Sequence, residues 1–222
     1  MKTNPLDSYI KITEFLGYVL GPDYEIVLQD GRSESPRILA IVNNHVSGRT
    51  VGSPVSDLSL EMIKNKVYLH SDYQVNYNGL SKDNKIMRSS TFFIKEKDEL
   101  LGMLCINFDS SRYLHISKEI LRLCHPDKIV EENYNFDPTN NLLDISENFT
   151  GSVSELTDAV LESSFLGAEL GTSNLSKEDK IHVVDVLNKK GVFLIKGAVS
   201  QVAAKLNCSE ASIYRYLNKI NK

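Results

Sequence analysis

Near the C-terminal end, side chains suited to meet a polyanion recur at helical spacing: Ser209, Glu210, Ala211, Ser212, Tyr214, Arg215 and Lys219. Between them Ile213, Leu217 and Ile220 stand at i, i+4 and i+7. One helix would therefore bury an apolar side and present the polar set. On a helix laid in the major groove of DNA, the residues near its N-terminus reach the base edges. Ala211 and Ser212 are small enough to let the helix enter. The Arg215 guanidinium offers a planar fork of donors that matches O6 and N7 of guanine, or grips a phosphate. Lys196, Lys205 and Lys219 are point charges on flexible stems and suit phosphates.

Holding that helix in place takes a partner helix and a tight turn. Ala198–Leu206 supplies the partner, with Val199, Val202, Ala203 and Leu206 on one stripe and Ala203-Ala204 keeping it slim. Asn207-Cys208 interrupts, because asparagine tolerates the left-handed conformation of a sharp turn. Ser209 then caps the next helix. Upstream, Ser176 and the acids Glu178 and Asp179 mark another helix start. Ile181, Val184 and Leu187 or Asn188 give it an apolar side, and Gly191 a stop. Phe193–Ile195 reads as a short apolar plug. The pattern over residues 175–222 is that of a helix-turn-helix. The same spacing fits a helical hairpin that only joins two copies.

Charge separates the two readings further. The chain of 222 residues carries a net −4. Residues 175–222 hold nine lysines and arginines against four acids, a balance of +5, which leaves −9 on residues 1–174. A basic end on an acidic body fits two domains with two jobs.

The body reads as α+β. Residues 5–20 have helical periodicity, with Leu6, Tyr9, Ile10, Thr13, Leu16 and Leu20 near one side, ended by Gly21-Pro22. Tyr24–Gln29 and Arg37–Val42 form a hairpin pattern across a longish polar loop. Asp57–Lys66 is helical, capped by Ser56 or Asp57. Tyr73–Tyr77 is a short strand, with Asn78-Gly79 as a turn. Ile86–Lys95 and Leu100–Phe108 are the strongest strand runs and form an antiparallel hairpin across Glu96–Glu99. The second of these is apolar on both sides and belongs in mid-sheet. Ser110–Leu123 is a helix leaving the sheet. The expectation for residues 1–124 is about five antiparallel strands with helices on one face. Residues 126–151 are polar and irregular, with Thr139-Asn140-Asn141 after Pro138. Ser152–Leu166 is one helix, free to pair with a second copy or to pack on either domain.

In this body Asn44, His45, Ser47 and Arg49 occupy one loop, while Asn76, Arg88, Ser90, Asn107 and Asp109 lie on or beside strands. Together they are the candidates for a polar pocket holding a small charged metabolite. The alternative is that they satisfy backbone groups in turns and at strand ends. Cys105, Cys124 and Cys208 are odd in number and far apart, which argues against a disulfide framework or closed zinc site. Only His45 has any claim as a metal ligand. His70, His115, His125 and His182 show no ligand spacing. A glycine-rich phosphate loop, a nucleophile elbow and a haem ligand are missing from the sequence, so neither an enzyme nor a metal or nucleotide cofactor is expected. No apolar run approaches the ~20 residues of a membrane span. The first residues lack a secretory apolar stretch. A cytoplasmic protein is expected.

Several stretches resemble one family. Phe193-Leu194-Ile195-Lys196-Gly197-Ala198-Val199, Val202-Ala203, Leu206, Ser209 and Ile213-Tyr214-Arg215-Tyr216-Leu217 resemble the helix-turn-helix of the YheO-like transcriptional regulators. Asn43–Arg49, Val51–Pro54, Val75–Tyr77, Arg88–Ile94 and Gly102–Asp109 resemble that family's PAS-like domain. Glu210 departs from the pattern, since a basic residue is frequent there. An acid repels phosphate yet accepts from the amino group of cytosine, so the departure bears on the target sequence. The resemblance implies a bacterial transcription factor with a PAS-type sensor.

The resulting expectation is a PAS-like sensor over residues 1–124, a linker with one helix over 125–174 and an all-α helix-turn-helix domain over 175–222. Its partners are double-stranded DNA, a second copy or a higher homo-oligomer, and a small-molecule effector. The rival is a metabolite-binding protein or enzyme in which the C-terminal helices serve only dimerisation.

Overall fold

The computed structural model describes residues 4–32, 35–81, 85–124, 145–148, 152–164 and 175–220. Helix α1 (Asp7–Leu20) leads into strands β1 (Tyr24–Asp30) and β2 (Ile38–Val42). Helix α2 (Asp57–Lys64) and a 3-10 turn (Val67–Leu69) precede β3 (Tyr73–Leu80), β4 (Ile86–Glu96) and β5 (Glu99–Asp109). Helix α3 (Ser111–Cys124) leaves the sheet, and β6 (Ile145–Asn148) returns to it. Four helices follow: α4 (Val153–Ser164), α5 (Lys177–Lys189), α6 (Ala198–Lys205) and α7 (Glu210–Ile220).

The sheet runs in the order β2-β1-β5-β4-β3-β6. The first five strands pair antiparallel, as the alternating runs predict. The β4–β5 hairpin closes through Lys97-Asp98, with Glu96 opposite Glu99. Strand β5 lies between β1 and β4, which explains its apolar character on both sides.

Three expectations need correction. Helices cover both faces of the sheet. Leu6 of the N-terminal segment sits with Leu28, Ala40 and Ile94 on the outer face, flanked by Tyr9 and Ile10 of α1. On the inner face Met62 of α2 packs with Val27, Tyr77, Phe93, Met103 and Cys105. Each large side chain buried there contributes about 1.5–3 kcal/mol. Second, Asn78-Gly79 is no turn: Asn78 pairs with Arg88 and Gly79 with Met87 inside β3. Pairing on both sides outweighs the local turn preference, because β6 joins β3 along Asn78–Leu80. Third, that sixth strand runs parallel and comes from the stretch read as irregular. The remainder of that stretch, Pro138–Asn141 included, lies outside the described residues.

The C-terminal helices share one apolar core of Val183, Val184, Leu187, Val192, Ala198, Val202, Ala203, Leu206, Ile213 and Tyr216. Val153, Leu156, Val160 and Leu161 of α4 belong to it. Of the placements open to that helix, this one buries its whole apolar stripe against α5 and α6. Val192, rather than Leu194, fills the space of the plug, and Leu194 stays exposed.

The two units touch along α2. The Lys190 ammonium lies 2.5 Å from a carboxylate oxygen of Asp57, whose side chain is 0% exposed. Lys64 donates to the Asn188 carbonyl. Gly191 has φ +73°, and a Cβ there would stand 3.0 Å from the Leu60 carbonyl oxygen. Helix α2 thus has the sheet's core on one side and the end of α5 on the other.

Candidate nucleic-acid interface and buried polar cluster

The turn between α6 and α7 forms as its residues require. Asn207 adopts φ +46°, in the left-handed region that asparagine tolerates. The Cys208 amide donates to the Ala203 carbonyl, and Lys180 of α5 donates to the Asn207 carbonyl at 3.4 Å. The Ser209 hydroxyl accepts from the Ser212 amide at 3.3 Å, capping α7. Burial raises the Cys208 thiol pKa, partly opposed by the nearby Lys180 ammonium.

Helix α7 presents one polar edge. Ser209, Glu210, Ala211, Tyr214, Arg215 and Lys219 are exposed, together with Asn218. Behind them Ile213 and Tyr216 are buried and Leu217 and Ile220 half-buried. Tyr216 was missed in the sequence because its hydroxyl disguised a core position. Ser212 differs from expectation: it is buried, with its hydroxyl 3.0 Å from that of Ser209, and it accepts from Arg215 Nη2 at 3.0 Å. Arg215 is thereby tied back to the first turn of its own helix. Lys196 and Lys219 are exposed. The half-buried Lys205 ammonium meets Asp158 of α4 at 2.6 and 2.8 Å.

The nine pocket candidates divide. Ser47, Arg49 and Asn107 come together around Glu25, which the sequence reading overlooked. Arg49 Nη2 and Asn107 Nδ2 donate to Glu25 Oε1 at 2.8 and 2.9 Å, and Ser47 Oγ donates to Oε2 at 2.5 Å. The side chains of Glu25 and Arg49 are 0% and 1% exposed. A charge so deep is tolerated because it is paired and hydrogen-bonded. The register places Glu25, Asn107, Ser89 and Tyr77 in one row on the inner face. In that row Ser89 Oγ and Asn107 Oδ1 are buried without a hydrogen-bond partner among the described residues, as are both amide atoms of Gln29 two rows away. A lone Glu in the apolar run Tyr24–Gln29 was the available signal.

The other six lie elsewhere. Asn44 Nδ2 holds the loop through the Arg49 carbonyl at 3.1 Å. The exposed His45 ring is 3.0 Å from the Pro22 carbonyl, and no cluster of three metal-ligating side chains occurs among the described residues. Asn76 sits at a bulge in β3, at φ +58°, and its amide donates to Ser90 Oγ at 3.2 Å. Arg88 lies over the Phe108 ring at 5.4 Å. Asp109 caps α3 through the Ser111 amide at 2.9 Å and meets Lys85 at 3.2 Å. Burial works to raise the Asp109 pKa, but the bonds from Ser111 and Lys85 prevail and lower it.

Comparison with known proteins places both halves. A family model described as a YheO-like PAS domain matches residues 1–125, more than half of the chain. The chain belongs to the YheO-like PAS family. A helix-turn-helix domain model matches residues 156–218 of this YheO-like chain and so takes in most of α4. The protein YheO of Escherichia coli (strain K12) is 30% identical over 96% of this chain and 84% of its own length. A Haemophilus influenzae protein is 27% identical over 98% and 91%. A Pseudomonas aeruginosa protein named transcriptional regulator DauR is 27% identical over 98% and 95%. Each of these alignments runs through both units of this chain. Among the described residues no helix is long and apolar enough to cross a membrane.

Proposed function

We propose that this chain is a DNA-binding transcriptional regulator that reads duplex DNA through α7 and answers a small molecule through its sheet domain. One observation carries the first half. The edge Ser209, Glu210, Ala211, Tyr214, Arg215 and Lys219 stands in solvent while Ile213 and Tyr216 hold the opposite side in the core. The helix-turn-helix family match and the regulator name of the Pseudomonas relative support it. A helix of eleven residues spans few base pairs, so two copies on a near-palindromic site are expected, with half-sites about 34 Å apart.

The effector site in this reading is the inner-face row at Glu25, Asn107 and Ser89, in place of the wider set of candidates. Ser89 Oγ and Asn107 Oδ1 are buried acceptors that an incoming N–H or O–H would satisfy. Ser47 and Arg49 belong to the loop that runs into α2, and α2 meets the end of α5. An effector regulates only by binding one arrangement of the two units more tightly than the other.

Fluorescence polarisation on duplex DNA, titrated with salt, tests the reading. Binding should weaken linearly on a log–log plot as counterions are displaced. Arg215→Ala should cost about tenfold to a hundredfold in affinity, the ~1–3 kcal/mol of a bidentate contact, without changing the fold. Binding that is absent or insensitive to salt would overturn it in favour of a metabolite-binding protein or enzyme whose C-terminal helices only join copies.

A further inference from the structure

Two helices of the sheet domain turn apolar side chains away from the molecule. Helix α3 has no buried residue, yet Tyr113, Ile116, Ile120 and Leu123 are all exposed. Their spacing is three, four, three. At about 100° per residue these four side chains fall within roughly 80° of one another. That is the a/d stripe of a two-helix seam. The half-exposed residues Ser111, Lys118 and Leu121 lie on the opposite side, with the exposed Leu114 among them.

Helix α1 repeats the arrangement. Leu6, just before it, and Thr13 and Gly17 within it are buried, while Ile12, Phe15 and Val19 point the other way, again at three-and-four spacing, with Tyr18 beside them. The two stripes meet at Asp23, which follows α1 and accepts from Arg112 and from the Tyr113 hydroxyl, the latter at 3.0 Å. Tyr113 is further tied to the sheet through Phe108, ring centroids 5.3 Å apart.

The area matches what a stable partner face needs. Phe15, Tyr18 and Tyr113 are 62%, 85% and 46% exposed. At roughly 150–250 Å² per ring, these three present about 300–500 Å², half of the ~800 Å² each partner contributes to a standard interface. Ile116, Ile120 and Leu123 along α3, and Ile12 and Val19 along α1, add apolar surface to these rings. A soluble monomer seldom leaves so large an apolar patch uncovered.

We propose that α3, flanked by the outer face of α1, is the surface through which a second copy of this chain docks, its α3 stripe interlocking with its mate. This deepens the expectation of two copies on DNA, but the surface stands on its own geometry. The seam begins at the last residues of β5, so each copy's sheet domain, and the helical unit seated on α2, is positioned by it.

Light scattering of the full chain without DNA tests the proposal independently of DNA binding. The natural sequence should give twice 24.9 kDa at micromolar concentration. The double variant Ile116→Glu, Ile120→Glu should give the monomer mass with an unchanged far-UV spectrum. Tyr214→Glu, on the DNA edge, should remain dimeric. Where the double variant fails to fold, cross-linking decides, using Ile116→Cys and Ile120→Cys in a Cys124→Ser, Cys208→Ser background. Parallel helices cross-link each variant with itself, and antiparallel helices cross-link only the mixture. Either pattern supports the seam. A monomeric natural chain, a dimer that survives the charged pair, or no cross-link in any combination overturns it. If the dimer forms but DNA does not bind, the regulator reading fails and the seam stands.

Discussion

The C-terminal helices and the sheet domain distribute their charge in opposite ways. The helical core holds Val183, Val184, Leu187, Val192, Val202, Leu206 and Ile213, and its charged groups stay at the rim. The sheet domain buries Glu25, Arg49 and Asp57 along with Gln29, Ser89 and Asn107. A unit that acts on a polyanion needs its polar groups outside and a core that only sets their spacing. Under the proposed function the sheet domain would use polar groups inside, where a hydrogen bond is strong and a lost one expensive. The contrast is therefore between a surface device and an interior one, and each end of it can be attacked.

The largest effect belongs to the interior. Glu25→Ala removes the buried carboxylate that Arg49, Asn107 and Ser47 share and should cost about 3–5 kcal/mol in chemical denaturation. The apolar pair Glu25→Leu, Arg49→Met should cost less than either single change. A loss under ~1 kcal/mol for the single variant would erase the contrast. Next comes the junction of the two units. Lys190→Ala removes the ammonium that meets the buried Asp57 carboxylate, for about 1–3 kcal/mol, and should make the two units melt at more widely separated temperatures.

The rim should respond in affinity. Lys196→Ala should lower the salt slope of DNA binding by about one. Lys205→Ala should change that slope less and stability by only ~0.2–1 kcal/mol, because its half-exposed ammonium is already held by Asp158. Equal slopes for the two variants would show that Lys205 leaves Asp158 for phosphate. The smallest effect concerns the cap of α5. The Ser176 hydroxyl and amide hold the Asp179 carboxylate below its usual pKa. A depressed carboxylate stabilises above its unfolded pKa and loses that advantage as pH falls through its folded one. The margin of the natural chain over Asp179→Asn in thermal melting should thus shrink on acidification and persist at neutral pH.

Sequence legibility followed the same division. The helix-turn-helix could be read because its information is local: the stripe of α6, the asparagine turn and the Ser209 cap each follow from neighbours along the chain. The β4–β5 hairpin was equally legible, through two strong strand runs and the tight charged connection Glu96–Glu99 between them. What escaped depended on residues far apart in sequence. Glu25 became a centre only when Asn107, 82 positions away, came to face it. Asn78-Gly79 was captured by β6, and Ser212 was drawn inward by Ser209 and Arg215. Alternation alone could not show which face of the sheet each helix would take, so the cover on both faces emerged only in three dimensions.

The contact at α2 has a practical consequence for anyone building hybrids within the family. Gly191 leaves no room for a side chain beside the Leu60 carbonyl, and Lys190 next to it answers a carboxylate that water does not reach. A foreign helical domain grafted onto this sheet domain would have to bring a lysine followed by glycine at the end of its counterpart of α5. Lacking that dipeptide, the graft would lose both the ion pair to Asp57 and the close approach to Leu60 that fix its angle.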